Sequence, residues 1–309
     1  MHQHQQQPVV GFFLALVTAM MWGALPIAIK QVLKGMDVQT IVWFRFCTAA
    51  LGIVIFLAVQ KKLPNLTGLH RRYFWFFVLG VIGLAGNFFL FNSALQYIPP
   101  ATSQILSPVS SFMMLFAGVI LFKEHIGVHQ KIGLVLLIIG LILFFNEHFN
   151  DFLQLSLYFK GVILGLCAAI VWVAYGISQK MLLRKFRAPQ ILMVIYIGCF
   201  LVFTPTADPE QITNLNSFQL GCLAFCCANT LIGYGAYAEA LNRWDVAKVS
   251  AITTQIPIFT LIISAITSWL APQYFTMEKI NWIGYLGAFV VVFGALISAI
   301  GHKFIQNKK

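Results

Sequence analysis

Polar side chains lie within the long apolar runs of this 309-residue chain, at positions where they could contact a solute. Polar groups on membrane helices are costly unless they face protein or water, so such positions indicate a central cavity. For the serines and threonines, hydrogen bonding between helices is a competing explanation, and for the two asparagines both explanations stay open. We expect the following polar side chains to line the cavity: Asn87, Ser107, Ser111, Asn229, Tyr234, Tyr237, Thr253 and Thr254.

Two tryptophans, Trp22 and Trp172, recur at an offset of 150 residues. Tryptophan usually marks the membrane interface, but both of these residues lie past the middle of their apolar runs. Pro26 and Tyr175 follow about one helical turn later. Packing in the protein core and contact with a substrate both explain this pattern, and we include Trp22, Trp172 and Tyr175 among the candidate cavity residues.

Two charged residues and two prolines are candidates for coupling or gating. Arg45 lies about six residues into the apolar run at residues 40–59. There it could bind an anionic substrate, reach outward to the membrane interface or anchor backbone carbonyls. Glu239, near the end of the apolar run at residues 218–241, could carry protons or pair with a base such as Lys180 or Arg243. Pro26 and Pro257 free backbone carbonyls and bend their helices, so they could mark hinges.

The chain lacks the motifs of common enzymes. There is no GxSxG, HExxH, Walker loop or dinucleotide fingerprint. His125 and His129 flank a glycine in a basic loop, which is typical of a solvated pair. The six cysteines all fall in apolar runs without metal-type spacing. We therefore predict no catalytic residues, metal, cofactor or disulfide.

The composition excludes an ordinary soluble protein. Hydrophobic residues make up 60% of the chain and charged residues 9%, against about 25% charged in soluble domains. The net charge of +11 comes from short basic clusters between apolar runs, which does not favour nucleic-acid binding. Runs of about 20 apolar residues can each cross a membrane. We predict an all-α membrane protein with ten transmembrane helices, at residues 9–33, 40–59, 73–96, 101–122, 130–146, 159–183, 190–206, 218–241, 246–270 and 282–301.

The loops predict the orientation of these spans. With the N-terminus inside, fifteen of the 20 basic residues face the cytoplasm and four, Lys30, Lys34, Lys160 and Lys279, face outward. Because basic loops remain cytoplasmic, this split predicts that both termini lie inside.

The two halves of the chain resemble each other. An offset of 150 residues pairs Gly11 with Gly161 as well as the two tryptophans, and Gly133 and Gly140 recur as Gly287 and Gly294. We predict a five-helix repeat in residues 1–146, a linker in 147–158, a second repeat in 159–301 and a cytoplasmic tail in 302–309. Since five is odd, the repeats are inverted, an arrangement that suits alternating access and favours a transporter.

With these features the sequence resembles the EamA-type branch of the drug/metabolite transporter superfamily over essentially its whole length. The sequence departs from the family pattern at Lys123, where glycine is usual, and at Trp269–Leu270, where the second copy would carry a glutamate. The resemblance rests on the two-copy organisation and on these segments: Trp22-Gly23 with Pro26, Phe44-Arg45-Phe46, Ala94-Leu95, Phe122-Lys123-Glu124, Tyr237-Ala238-Glu239-Ala240-Leu241 and Pro257.

The resemblance implies a secondary transporter of the bacterial inner membrane that moves a small organic metabolite, often by exporting amino acids or related compounds. Its partners are then the small-molecule substrate and the lipid bilayer, with coupling to protons or to a counter-substrate left open. A membrane receptor or assembly factor without transport activity, and an intramembrane enzyme, are the alternatives.

Overall fold

The computed structural model describes residues 7–65, 70–123 and 125–306. Glu124 of the family motif and the terminal lysines, Lys308 and Lys309, lie outside these ranges. In the described ranges the chain is helical and contains no strand. The helices are α1 (Pro8–Val32), α2 (Val38–Val59), α3 (Arg71–Ala94), α4 (Pro100–Ile105), α5 (Pro108–Phe122), α6 (Val128–Phe144), α7 (Phe149–Leu153), α8 (Leu157–Leu182), α9 (Ala188–Phe203), α10 (Ser217–Arg243), α11 (Val246–Thr253), α12 (Ile256–Leu270) and α13 (Trp282–Gln306), with a 3-10 turn at Pro209–Asn214.

Eight segments of the described chain are long and apolar enough to cross a membrane, when α4 and α5, and likewise α11 and α12, are each taken as one segment. The fifth and seventh of the ten predicted spans form the shorter apolar helices α6 and α9, with 17 and 16 residues. The chain is thus a multi-pass membrane protein, and the ten-span count stays a prediction.

The helix starts follow local sequence signals. Asp37 precedes α2, and its carboxylate accepts a hydrogen bond from the backbone N–H of Thr40 at 2.7 Å. Asn216 caps α10, where its side chain and that of Gln219 bond reciprocally to backbone N–H groups. Such caps satisfy backbone donors that have no partner within the helix.

Both the fourth and the ninth predicted spans are broken in the middle. Pro108 is the first residue of α5, and Pro257 is the second residue of α12. Proline has no backbone N–H to donate to the preceding turn, so each break follows from the sequence. Pro26 acts differently, because α1 continues through it without a break.

The helices pack in four main pairs: α6 with α13, α3 with α8, α1 with α10, and α2 with α9. Of the broken helices, α12 packs mainly against α1 and α5 mainly against α8. Glycines set the closest approach between α6 and α13, where a β-carbon on Gly140 would lie 2.6 Å from the backbone nitrogen of Val291. Large side chains on α2, α3, α8 and α9 form the main hydrophobic core, which includes Phe46 and Tyr196. A cavity lies beside this core, lined by residues of α1, α2, α3, α8, α10 and the two broken helices.

Candidate functional site

A cavity of about 280 Å³ lies where α1, α2, α3, α8 and α10 meet the two broken helices. This volume suits a small organic solute. The structure brings together ten of the side chains that the sequence singles out, and they line the cavity: Trp22, Arg45, Asn87, Ser107, Ser111, Trp172, Tyr234, Tyr237, Thr253 and Thr254.

Two of the expected cavity residues lie behind its wall instead. Tyr175 is 3% exposed, and its ring packs against that of Trp172 with the centroids 4.9 Å apart. The Asn229 side chain is fully buried, and it donates a hydrogen bond to the backbone carbonyl of Met21 in α1. The gating candidates Pro26, Pro257 and Glu239 are also absent from the lining.

Four aromatic rings form one wall of the cavity. The Trp22 ring lies 5.1 Å from that of Tyr234 and 5.4 Å from that of Tyr237, measured between centroids. Trp172 approaches Tyr234 from the opposite side, at 6.3 Å. The two tryptophans that recur in the sequence therefore converge on one tyrosine, and the wall offers apolar area together with two phenolic hydroxyls.

Three consecutive carbonyls of α1 fix the position of Trp22. Besides the bond from Asn229 to Met21, Gln104 Nε2 in α4 donates to the Trp22 carbonyl at 3.0 Å, and Thr260 Oγ1 in α12 donates to the Gly23 carbonyl at 2.9 Å. The Trp22 carbonyl is the acceptor that Pro26 leaves without a helical donor. The proline in α1 thus creates the attachment point for α4.

Most hydroxyls near the helix breaks bond to carbonyls of their own segments. Ser107 Oγ donates to Gln104 O at 2.7 Å, and Ser110 Oγ donates to Ser107 O at 2.7 Å. Across the cavity, Thr254 Oγ1 donates to Ala251 O at 3.0 Å. These three residues therefore line the cavity while their hydroxyls donate to backbone carbonyls beside the breaks.

Arg45 is the one charged residue among the described residues that line the cavity. Its side chain is 1% exposed, its Nε donates to Thr230 Oγ1 at 3.0 Å, and its guanidinium carbon lies 4.4 Å from the centroid of the Phe88 ring. Its Nη1 atom is buried without a hydrogen-bond partner. A positive charge is therefore held at the cavity with an unsatisfied donor.

Glu239 lies at the end of α10 and forms an ion pair with Arg243 at 2.6 Å. Both side chains are more than a third exposed, so solvent screens the pair. The structure thus identifies Arg243 as a partner of this carboxylate.

A second carboxylate, which the sequence places in a loop, is largely buried at the end of the bundle where α1 ends. Thr102 Oγ1 donates to Glu278 Oε1 at 2.7 Å and lies 3.2 Å from the Tyr158 hydroxyl oxygen. Lys30 Nζ donates to the carbonyl of Ile98 at 2.9 Å. Burial raises the pKa of Glu278, while the Thr102 hydrogen bond and the charges of His148 and Lys30 oppose that rise. We call Lys30, Thr102, Tyr158 and Glu278 the Glu278 cluster.

In the part of the chain that the structure describes, no three His, Cys, Asp or Glu side chains lie close enough together to hold a metal ion. The fold and the cavity define a class: a helical membrane protein with a solute-sized site enclosed between broken helices.

Comparison with known proteins identifies the family. The model of the EamA-like transporter family matches residues 9–146 and 159–300. The chain is 54% identical over 304 residues to an "Uncharacterized transporter" of Haemophilus influenzae, covering 98% of this chain and 99% of the relative. It is 48% identical over 302 residues to the "Uncharacterized inner membrane transporter YhbE" of Escherichia coli, covering 97% and 94%. The chain therefore belongs to the EamA-like transporter family, which confirms the resemblance seen in the sequence.

More distant matches agree with this assignment. A "Probable amino-acid metabolite efflux pump" of Escherichia coli is 22% identical and covers 96% of this chain and 97% of its own. A solved structure titled "Crystal structure of protein" matches with a TM-score of 0.65 at 14% identity, covering 93% of this chain and 96% of its own, and this likeness concerns the fold alone. The protein is a transmembrane transporter, and transporters are generally not enzymes.

Proposed function

We propose that the protein exports a small organic metabolite, an amino acid or a related compound, across the bacterial inner membrane by alternating access. The observation that carries the proposal is the cavity of about 280 Å³ lined from both halves of the chain and bordered by two broken helices. Broken helices at a central site are a recurrent device of secondary transporters. The efflux pump named above supports the choice of substrate class and direction.

The helix pairs support ten spans in two inverted repeats. In the proposed repeats, α8 is the counterpart of α1 and α10 is the counterpart of α3. Exchanging the two repeats therefore turns the pair of α1 with α10 into the pair of α8 with α3. The pairs α2 with α9 and α6 with α13 each exchange with themselves, and the contact of α1 with α12 exchanges with that of α8 with α5. The pairing is thus unchanged when the repeats are exchanged, as alternating access requires.

The basic residues support an orientation with both termini in the cytoplasm. The Glu278 cluster then lies on the outer side, where it joins α1, α4 and α8 to the segment between α12 and α13. Opening the cavity outward requires these bonds to break. A reporter fused after Lys309 should report cytoplasm and one inserted within residues 207–217 should report the outer side; both reporters on one side would contradict the ten-span topology.

Transport itself is tested by counterflow in liposomes that contain the purified full-length protein. Liposomes loaded with each of the twenty amino acids in turn should take up the labelled form of an accepted one with saturable kinetics. A receptor, assembly factor or enzyme gives no counterflow. Absence of saturable uptake for every one of the twenty would refute these amino acids as the substrates.

A further inference from the structure

We propose that Arg45 binds a carboxylate of the transported solute, so that the substrate class is an organic acid or an amino acid that keeps its carboxylate free. The inference rests on the proposed transport function and assigns the binding group within the same cavity. The inference also excludes as substrates the amines that form when amino acids are decarboxylated.

The first step of the argument is the charge of the cavity. Arg45 brings one positive charge to the lining, and no residue that lines the cavity in the described chain is acidic. A buried charge without a counter-charge is costly, and the cost falls when a ligand supplies the opposite charge. The cavity is therefore electrostatically complementary to an anion.

The second step is the geometry of the guanidinium. Thr230 accepts a hydrogen bond from Nε, and the guanidinium carbon lies over the Phe88 ring, 4.4 Å from its centroid. Together these contacts fix the plane of the group, while Nη1 stays buried without a partner. A structural anchor would direct this donor to a protein acceptor. An Arg with an oriented plane and an unsatisfied terminal donor instead suits a carboxylate, which accepts hydrogen bonds from the guanidinium edge.

The third step is the continuity between Arg45 and the aromatic wall. The Phe88 ring that contacts the guanidinium is 6.4 Å from the ring of Tyr234, which in turn contacts Trp22. A solute whose carboxylate meets Arg45 can therefore place its apolar part against these rings. A solute that carries an ammonium in place of the carboxylate would be repelled by Arg45, since the lining provides no acid to offset that charge.

The test measures binding of three probes that share one phenyl chain and differ in charge: 3-phenylpropionate, 3-phenylpropionamide and 3-phenylpropylamine. Affinities are obtained from the thermal stabilisation of the purified full-length protein in detergent. We expect the acid to bind wild-type protein about tenfold or more tightly than the amide, and the amine to bind weakest, because a hydrogen bond to a charged group contributes about 1.5–3 kcal/mol.

Variants then assign the preference to Arg45. Arg45→Gln should weaken binding of the acid by about tenfold or more and leave binding of the amide within about twofold. Lys160→Gln removes a positive charge outside the cavity and serves as the matched control, which should keep the wild-type preference. Arg45→Lys keeps the charge but loses the planar donor edge, so it should retain part of the preference.

Two results would overturn the inference: an amide that binds wild-type protein as well as the acid does, or an acid preference that survives in Arg45→Gln. The comparison of probes on wild-type protein needs no variant, so the inference stays testable if Arg45→Gln fails to fold. The outcome is also separate from that of the transport proposal. Counterflow of an amino acid with no acid preference contradicts the role of Arg45 alone, whereas a strong acid preference without any counterflow contradicts transport of amino acids.

Discussion

The contact between α6 and α13 gives the sharpest prediction about stability, because glycine backbones touch there directly. A β-carbon on Gly287 would lie 2.4 Å from the backbone nitrogen of Phe144 and 2.7 Å from the carbonyl oxygen of Gly140. Neither atom belongs to a side chain that can rotate away. Gly287→Ala must therefore move the two helices apart along a seam that also contains Gly133 and Gly294.

Two opposing effects set the size of the change. Overpacking of a tight contact costs about 1–3 kcal/mol. In a helix, alanine is more favourable than glycine by about 1 kcal/mol. We therefore expect Gly287→Ala to destabilise the protein by up to about 2 kcal/mol. Gly221 in α10 is the matched control, because a β-carbon there would meet nothing within 4 Å. Gly221→Ala should be neutral or stabilising by up to about 1 kcal/mol.

The assay is thermal unfolding of the two purified variants and of wild-type protein in one detergent, followed by tryptophan fluorescence. Since both variants gain the same helix preference, the difference between them isolates the cost of the clash. Gly287→Ala should unfold below wild type and Gly221→Ala at or above it. If Gly287→Ala unfolds at the temperature of Gly221→Ala or higher, the close approach of α6 and α13 is refuted.

Four further substitutions test Glu239 and Lys123 at helix ends, Glu278 in the buried cluster and Trp172 in the cavity wall. Glu239→Gln should lower stability by less than about 1 kcal/mol, because its pair with Arg243 is exposed, and leave the response of net transport to a pH gradient unchanged. Loss of that response at constant melting temperature, with counterflow retained, would show that Glu239 carries protons. Because the pKa of Glu278 is raised, the folded state holds this proton more tightly than the unfolded chain does. Stability should therefore fall as the pH rises from about 4.3, the unfolded-state pKa of a glutamate, through the raised pKa of the folded state, and Glu278→Gln should remove this part of the fall in melting temperature. Lys123→Gly should raise the melting temperature by the equivalent of about 1 kcal/mol, since Lys123 ends α5 with φ of 55°, and an unchanged temperature would contradict that conformation. Trp172→Ala should raise the counterflow KM about two- to tenfold with unchanged folded yield, whereas an unchanged KM would remove its ring from the substrate wall.

The sequence predicts the course of the chain well, because strong local rules govern it. The predicted spans and the observed helices differ by only a few residues at most ends, as expected where apolar run length and capping residues fix the boundaries. The breaks at Pro108 and Pro257 also follow from local chemistry. The repeated glycine pairs, seven residues apart, indicate one face of a helix, and in the structure those faces meet.

Which face of a helix reaches the cavity is harder to predict. Lipid and protein core are both apolar, so the hydrophobic pattern of a membrane helix separates its faces poorly. For this reason Tyr175 and Asn229 look like cavity residues in sequence but lie behind the wall. The same limit hides Gln104 and Thr260, whose bonding partners are carbonyls of α1. The proline at position 26 is a usable signal, because it frees the Trp22 carbonyl that Gln104 binds.

The buried state of Glu278 could not be predicted from its position in a polar segment, because loop carboxylates are normally hydrated. Its burial arises only when α1, α4 and α8 meet around it. Thr102, in α4, donates a hydrogen bond to the Glu278 carboxylate, which offsets part of the cost of burying it. Such groups depend on contacts between distant parts of the chain, which local patterns do not encode.

The distribution of polar groups around the cavity argues that charge decides the selectivity of this site. Asn87 Nδ2 donates a hydrogen bond to the carbonyl of Ala168 in α8 at 2.9 Å, and the Ser107 hydroxyl donates to the carbonyl of Gln104 in its own segment. Each of these two groups has a donor committed to the fold. The guanidinium of Arg45 retains an uncommitted donor and a charge. Discrimination between solutes of similar size should therefore follow the charge that they present to Arg45 more closely than the pattern of their neutral hydrogen-bonding groups.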